Sequence, residues 1–291
     1  PLAPGEVAHC GIVLGLHRPP LDGPVHALRG GEEAKTLGAV ERIWRELQLD
    51  RDGTIVAFGG GCTTDSAGFA AATYLRGIRW VAVPTTLVGQ VDAAIGGKTA
   101  VNLPQGKNLI GAFHWPLSTL IDPALLETLP EREWSAGLAE VVKTGLLVGE
   151  PLWELPRPEL VRRCASFKTA VCLRDPHERG ERAILNLGHT FAHALEAAAG
   201  FDRLNHGEAV ALGLLAATRL SGVETKAVEE VLAPKPVRVD REAAWAALAR
   251  DKKAREGRPR LVLLEAPGKP VTGVELPPEH VRAALDELIA D

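Results

Sequence analysis

The stretch TIVAFGGGCTTDSAGFAAATYLRGIRWVAVPTT, residues 54–86, sets the architecture of the first part of the chain. TIVAFG is a short apolar, partly β-branched run that stops at three glycines. SAGFAAATYL (66–75) reads as a small-residue helix, and WVAVPTT (80–86) as a second strand. Strand, glycine loop, helix, strand is the pattern of a parallel sheet, because parallel neighbours need a crossover, usually a helix. Upstream, GIVLGL (11–16) predicts another strand and AVERIWREL (39–47) a helix. From about residue 120 the texture changes to Ala/Leu-rich helical periods at 134–148, 159–173, 184–199, 206–220, 241–250 and 279–290, punctuated by prolines. RLVLLEAP (260–267) predicts an isolated strand. The expected organisation is an α/β domain over 1–120 with a parallel sheet, then a mostly α-helical domain over 121–291.

Composition narrows the function. At 291 residues, 46% hydrophobic and 24% charged, the chain has the make-up of an ordinary globular protein. A net charge of −4 gives no reason to expect a nucleic-acid partner or an anionic membrane. No apolar run reaches the roughly 18 residues of a membrane span. PLAPGEVAHC at the start lacks the basic and apolar regions of a signal peptide. Cys10, Cys62, Cys164 and Cys172 show no metal-type or disulfide-type spacing, which predicts reduced thiols and a cytoplasmic location.

Four stretches carry chemistry. In AFGGGCTTD (57–65), glycines after a strand let backbone amides approach a phosphate at a helix N-terminus. VPTTLVGQVDAAIGGKTAVNLPQGKNLIGAF (83–113) holds Asp92 and two lysines, Lys98 and Lys107, in glycine-rich surroundings suited to an anion. Its GGKT is not a P-loop, since the glycine required four residues earlier is missing. EWSAGLAEVVKTGLL (133–147) puts Glu140 and Lys143 on one helical face.

The fourth is ERAILNLGHTFAHALE (181–196). If one helix runs through it, Arg182, Asn186, His189, His193 and Glu196 form a single polar stripe on an otherwise apolar helix. Such a stripe is costly to bury without a ligand. His206 heads the next apolar helix. Any one of these histidines reads equally as an ordinary core residue with satisfied hydrogen bonds. Together they offer Glu140, His189, His193 and His206 as candidate metal ligands, and a catalytic zinc takes three with one position open. HTFAH is not the zinc-peptidase motif, because the glutamate that serves as its base is absent.

Taken together, RGIRWVAVPTTLVGQVDAAIGGKTAVNLPQGKNLIGAF (76–113), TLPEREWSAGLAEVVKTG (128–145), LNLGHTFAHALEA (185–197), HGEAVALG (206–213) and RDKK (250–253) resemble the 3-dehydroquinate synthases, over about residues 28–268. The resemblance implies a Rossmann-like NAD-binding domain, a helical metal- and substrate-binding domain, an active site in the cleft between them, and a homodimer. It implies Zn2+ or Co2+ on Glu140, His189 and His206, with His193 facing the substrate. It implies NAD contacts from Glu32, Lys35, Gly60, Gly61, Asp65, Thr85, Thr86, Lys98, Lys107 and Thr128. Substrate positions fall on Asp92, Lys98, Asn108, Lys143, Lys168, Arg182, Asn186, His193 and Lys252, the last in preference to Lys253. The implied reaction converts 3-deoxy-D-arabino-heptulosonate 7-phosphate, a phosphorylated keto-acid sugar, into 3-dehydroquinate and phosphate. The chain departs from the family pattern at Thr63-Thr64, where a glycine usually precedes the loop aspartate, and at Ala93-Ala94, where serines are common. Another sugar-phosphate cyclase and a metal-dependent polyol dehydrogenase are the alternatives.

Overall fold

The structure, a computed structural model, describes residues 10–14, 24–200, 204–250 and 259–290. The chain divides into two compact units, Pro1–Glu133 and Trp134–Asp291.

The first unit is built on a parallel sheet of β1 (Cys10–Leu14), β2 (Val25–Ala27), β3 (Thr54–Gly59), β4 (Arg79–Pro84) and, after an intervening hairpin, Ser118–Thr119. The strand order is β2-β1-β3-β4 followed by Ser118–Thr119, and each neighbouring pair is parallel. Every residue of β3 is buried, as expected of a strand covered on both faces. Helix α1 (Leu37–Glu46) starts where the Thr36 hydroxyl accepts from the Ala39 amide at 3.1 Å, and buries Ala39, Val40 and Ile43 along one stripe. Helix α2 (Gly61–Thr73) crosses from β3 to β4 and buries mostly small residues. Small size is required there: a Cβ on Gly68 would lie 2.5 Å from Thr99 and 3.0 Å from the Trp80 ring.

A hairpin absent from the sequence reading follows, with β5 (Lys98–Leu103) antiparallel to β6 (Gly106–Phe113), before the edge strand β7 (Ser118–Thr119). β7 pairs with β4 and so belongs to the first unit.

The second unit carries α3 (Glu131–Val148), α4 (Arg157–Arg174), α5 (His189–Ala198), α6 (His206–Ser221), α7 (Lys226–Val231) and α8 (Arg241–Ala249). A hairpin of β8 (Leu261–Ala266) and β9 (Lys269–Val274) follows, then α9 (Pro278–Asp286). The 260–267 run is thus paired rather than isolated, since β9 supplies its antiparallel partner. Helix α7, KAVEEV, is too short to carry a clear helical period of its own. Phe191, Leu195, Leu212, Leu214 and Leu285 are core residues, each contributing roughly 1.5–3 kcal/mol by burial.

The continuous helix expected over 184–199 does not form. Glu181–Asn186 is a 3₁₀ segment, and Gly188 turns the chain at φ 77° before α5 begins at His189. An added Cβ on Gly188 would sit 2.8 Å from the Leu214 amide nitrogen, so α5 starts with its backbone against α6. A second such contact joins α6 to α3, where a Cβ on Gly207 would lie 2.2 Å from the Ala136 Cα. That neighbour is main chain and cannot swing aside. Gly207→Ala should therefore push α6 off α3 and lower stability by about 1–3 kcal/mol, read as a reduced urea midpoint; an unchanged midpoint would show that the two helices are free to separate.

Candidate metal centre

The two backbone contacts explain which side chains meet. Ala136 lies one turn before Glu140 on α3, Gly207 follows His206 at the start of α6, and Gly188 precedes His189 at the start of α5. Glu140, His189 and His206 converge, with one ligand atom from each lying within 4.8 Å of the others. His206 Nε2 is 3.0 Å from Glu140 Oε1, and His189 Nε2 is 3.5 Å from the same oxygen. The other nitrogens turn away: His189 Nδ1 is 3.1 Å from the Leu187 carbonyl, and His206 Nδ1 is 3.6 Å from Glu196 Oε1. A capping box of Asn205 and Glu208 fixes the first turn of α6 and so the backbone of His206.

Glu140 is 1% exposed and pairs through Oε2 with Lys143, 2% exposed and one turn on. Burial pushes the Glu140 carboxyl up, but the Lys143 ammonium and the two histidines outweigh it and hold the acid well below the usual carboxylate range. Burial and Lys143 push His189 down. His206 moves the other way, because Glu140 and Glu196 overcome its burial and raise it to about 10. The same two carboxylates that favour positive charge at His206 would favour a divalent ion at its Nε2. One carboxylate oxygen and two Nε2 atoms, each ring held by its opposite nitrogen, is a donor set suited to zinc or cobalt.

Of the remaining expected positions of the second unit, Arg182, Asn186 and His193 lie close in sequence to His189. His193, exposed, stands one turn beyond His189, with ring centroids 5.6 Å apart. Arg182 is 1% exposed and donates through Nη1 to the Pro176 carbonyl at 3.0 Å. Asp175 folds this loop by accepting the amides of Arg179, Gly180 and Arg182 at 2.8–3.0 Å. Asn186 donates through Nδ2 to Glu178 Oε1 at 2.6 Å and to the Ala183 carbonyl at 3.1 Å, which leaves its oxygen as the side chain's remaining acceptor. Lys168 is buried on α4. Lys252 lies outside the described residues. Sequence reasoning missed Asp175 and Glu178; their position ahead of Arg182 and Asn186 was the available signal.

In the first unit, Gly60 caps α2, and Cβ atoms on Gly60 and Gly61 would each meet a neighbour at 3.0 Å, Thr86 and Ala93 respectively. The loop thus puts side-chain-free backbone at a helix N-terminus, where a phosphate group can be met by amides. Lys35 pairs with Asp65 beside it; burial disfavours the ammonium, but the Asp65 carboxylate overrides this and raises it. Glu32 accepts from Asn102 at 2.6 Å and pairs with Lys107 at 3.3 Å. Thr85 is buried, with its amide donating to the Gly59 carbonyl at 2.9 Å, and the Thr86 hydroxyl accepts from the Gly89 amide. Asp92 lies in the wide turn Gly89–Ala93 and Lys98 opens β5. Asn108 sits at φ 56° on β6, and Thr128 is exposed in the turn after Pro123–Leu126. Thr64, where the family favours glycine, is buried and bonds back to the Gly61 carbonyl at 3.0 Å. Burial raises the Cys62 thiol to about 12, which makes it a poor nucleophile.

The family model described as 3-dehydroquinate synthase N-terminal matches residues 25–136, and that described as 3-dehydroquinate synthase C-terminal matches residues 137–254. The chain is 49% identical to a 3-dehydroquinate synthase of Gloeobacter violaceus over 288 residues, 89% of this chain and 80% of that protein. Among solved structures it is similar to a 2-deoxy-scyllo-inosose synthase complexed with carbaglucose-6-phosphate, NAD+ and Co2+. The TM-score there is 0.84 at 28% identity, over 97% of this chain and 91% of the other. A 2-epi-5-epi-valiolone synthase from Streptomyces hygroscopicus subsp. jinggangensis, bound to NAD+ and Zn2+, gives a TM-score of 0.83 at 27% identity, over 99% and 93%. Two adjoining family matches and a relative this similar over most of both lengths establish that the chain belongs to the 3-dehydroquinate synthase family.

Proposed function

We propose that this chain converts 3-deoxy-D-arabino-heptulosonate 7-phosphate into 3-dehydroquinate and phosphate, with NAD and a divalent cation, Zn2+ or Co2+, as cofactors. The observation that carries the reading is the convergence of Glu140, His189 and His206. In this reaction a ring carbinol of the substrate is oxidised and the acidified neighbouring C–H is lost with phosphate. The ketone is then reduced again, and the opened ring closes by an intramolecular aldol. When bound, NAD takes up and returns the hydride, while the cation acidifies the reacting hydroxyls and stabilises the negative oxygen that develops.

The chain's own groups bind, orient and move protons. Glu140 and the Nε2 atoms of His189 and His206 hold the cation. Lys143 offsets the Glu140 charge and reaches the substrate from the same buried pair. Arg182 presents a planar guanidinium to the substrate carboxylate. His193, one turn from a metal ligand and exposed, exchanges protons with substrate hydroxyls. Asn186, its amide hydrogens engaged, accepts from a hydroxyl through its oxygen. Asp92, Lys98, Asn108, Lys168 and Lys252 complete the substrate contacts, with lysines gripping the phosphate. The glycine loop with Glu32, Lys35, Asp65, Thr85, Thr86, Lys98, Lys107 and Thr128 holds NAD. Much of the rate comes from keeping successive intermediates in one geometry.

Among the described residues no helix is long and apolar enough to cross a membrane. We read the protein as a cytoplasmic homodimer that acts on a phosphorylated keto-acid sugar and has no nucleic-acid or membrane partner. Family resemblance and reduced-thiol cysteine usage support that reading. Arg182 favours the carboxylated substrate over those of other sugar-phosphate cyclases.

Metal analysis of the purified protein should find roughly one zinc per chain. His206→Ala should abolish both metal and turnover, whereas His193→Ala should keep the metal and lose turnover. An active, metal-replete His206→Ala protein would remove it from the ligand set. With the heptulosonate phosphate, catalytic NAD and zinc, phosphate and dehydroquinate should appear in equal amounts with no net NADH, and a chelator should stop both. Net NADH without phosphate release would instead identify a polyol dehydrogenase.

A further inference from the structure

Glu196 is the member of the 182–196 polar set that the proposed reaction leaves without a task. It lies on α5 seven residues beyond His189, so two turns of one helix present both side chains on the same side. It is 3% exposed, among the buried Ala192, Leu195 and Ala199. A carboxylate buried there costs several kcal/mol unless a positive or donating group meets it. Its Oε1 stands 3.6 Å from His206 Nδ1, on the side of the ring opposite Glu140.

The two histidines of the centre are therefore backed differently. His189 turns Nδ1 to a main-chain carbonyl, which comes with the fold of Leu187-Gly188. The capping box fixes the backbone of His206 at the start of α6, but the imidazole, more exposed than His189, can still rotate about its side-chain bonds. A carboxylate facing Nδ1 removes that freedom. It fixes the proton on Nδ1, leaves the Nε2 lone pair for a cation, and adds negative charge that strengthens the imidazole as a donor.

We propose that Glu196 is a positioning residue of the metal centre, accepting the Nδ1–H of His206 and so directing Nε2 toward the ion. This rests on the reading of Glu140, His189 and His206 as ligands. In this role Glu196 acts through the His206 ring and is not itself one of the ligands.

The test uses the full-length protein stripped of metal, with zinc titrated against a chromophoric chelator and cobalt loaded in parallel for its visible spectrum. Wild type, Glu196→Gln, Glu196→Asp and His206→Ala are compared. Glu196→Gln should bind zinc about 10–100-fold more weakly than wild type and shift the cobalt spectrum. Glu196→Asp, which keeps the charge on a shorter arm, should lie between the two. Wild-type affinity together with a wild-type cobalt spectrum in Glu196→Gln would overturn the proposal. If Glu196→Gln does not fold, a folded Glu196→Asp decides: weakened zinc binding supports the role and wild-type binding overturns it. Failure of the wild-type chain to bind zinc would instead defeat the ligand reading itself, and His206→Ala separates that case by setting the baseline for a broken centre.

Discussion

A carboxylate with almost no access to water, Glu140, is the constraint around which the second unit is arranged. Left alone in such surroundings it would cost several kcal/mol or give up its charge. The fold instead brings positive or proton-donating groups to it from three helices: Lys143 on its own α3, His189 on α5 and His206 on α6. Those helices can approach so closely because glycine replaces a side chain where main chains touch, at Gly188 against Gly213 and Leu214 and at Gly207 against Ala136. Packing and electrostatics thus serve one end. The same close contacts that bury the acid place a matched pair of imidazoles over it.

The arrangement also fixes which atom each group offers. Both imidazoles direct Nε2 toward the acid and Nδ1 toward an acceptor, so Nε2 is the atom each ring places for a cation. Asn186 spends its amide hydrogens on Glu178 and Ala183 and keeps its oxygen. Asp175 ties the loop that carries Arg182. Preorganisation of this kind lets a site hold several successive intermediates without rebuilding itself between steps. The first unit repeats the theme with backbone, where Gly60 and Gly61 lie at the start of α2 with no room for a side chain beside Thr86 and Ala93.

Local pattern carried the sequence reading far and then failed for identifiable reasons. The 54–86 stretch delivers its strand, helix and strand because each has a clear period and the glycines mark the joint. The polar stripe on 182–196 was legible as a set of residues but not as a shape: helical spacing cannot reveal that Gly188 takes φ 77° to reach α6. The β5–β6 hairpin went unread because glycines, lysines and asparagines interrupt its alternation, and its strength lies in cross-strand pairing. Likewise, β8 looked solitary because KPVTGV carries little strand signal of its own. Glu140 and His206 are 66 residues apart, and nothing local announces their contact. Family resemblance named those two as partners; the bottom-up reading alone left four ligand candidates open.

X-ray absorption at the zinc edge of the loaded protein tests the central claim most directly. The account predicts a first shell of nitrogen and oxygen only, at about 2.0–2.2 Å, with the outer scattering of two imidazoles. A sulfur neighbour at about 2.3 Å, or scattering from fewer than two imidazoles, would contradict a centre built on Glu140, His189 and His206.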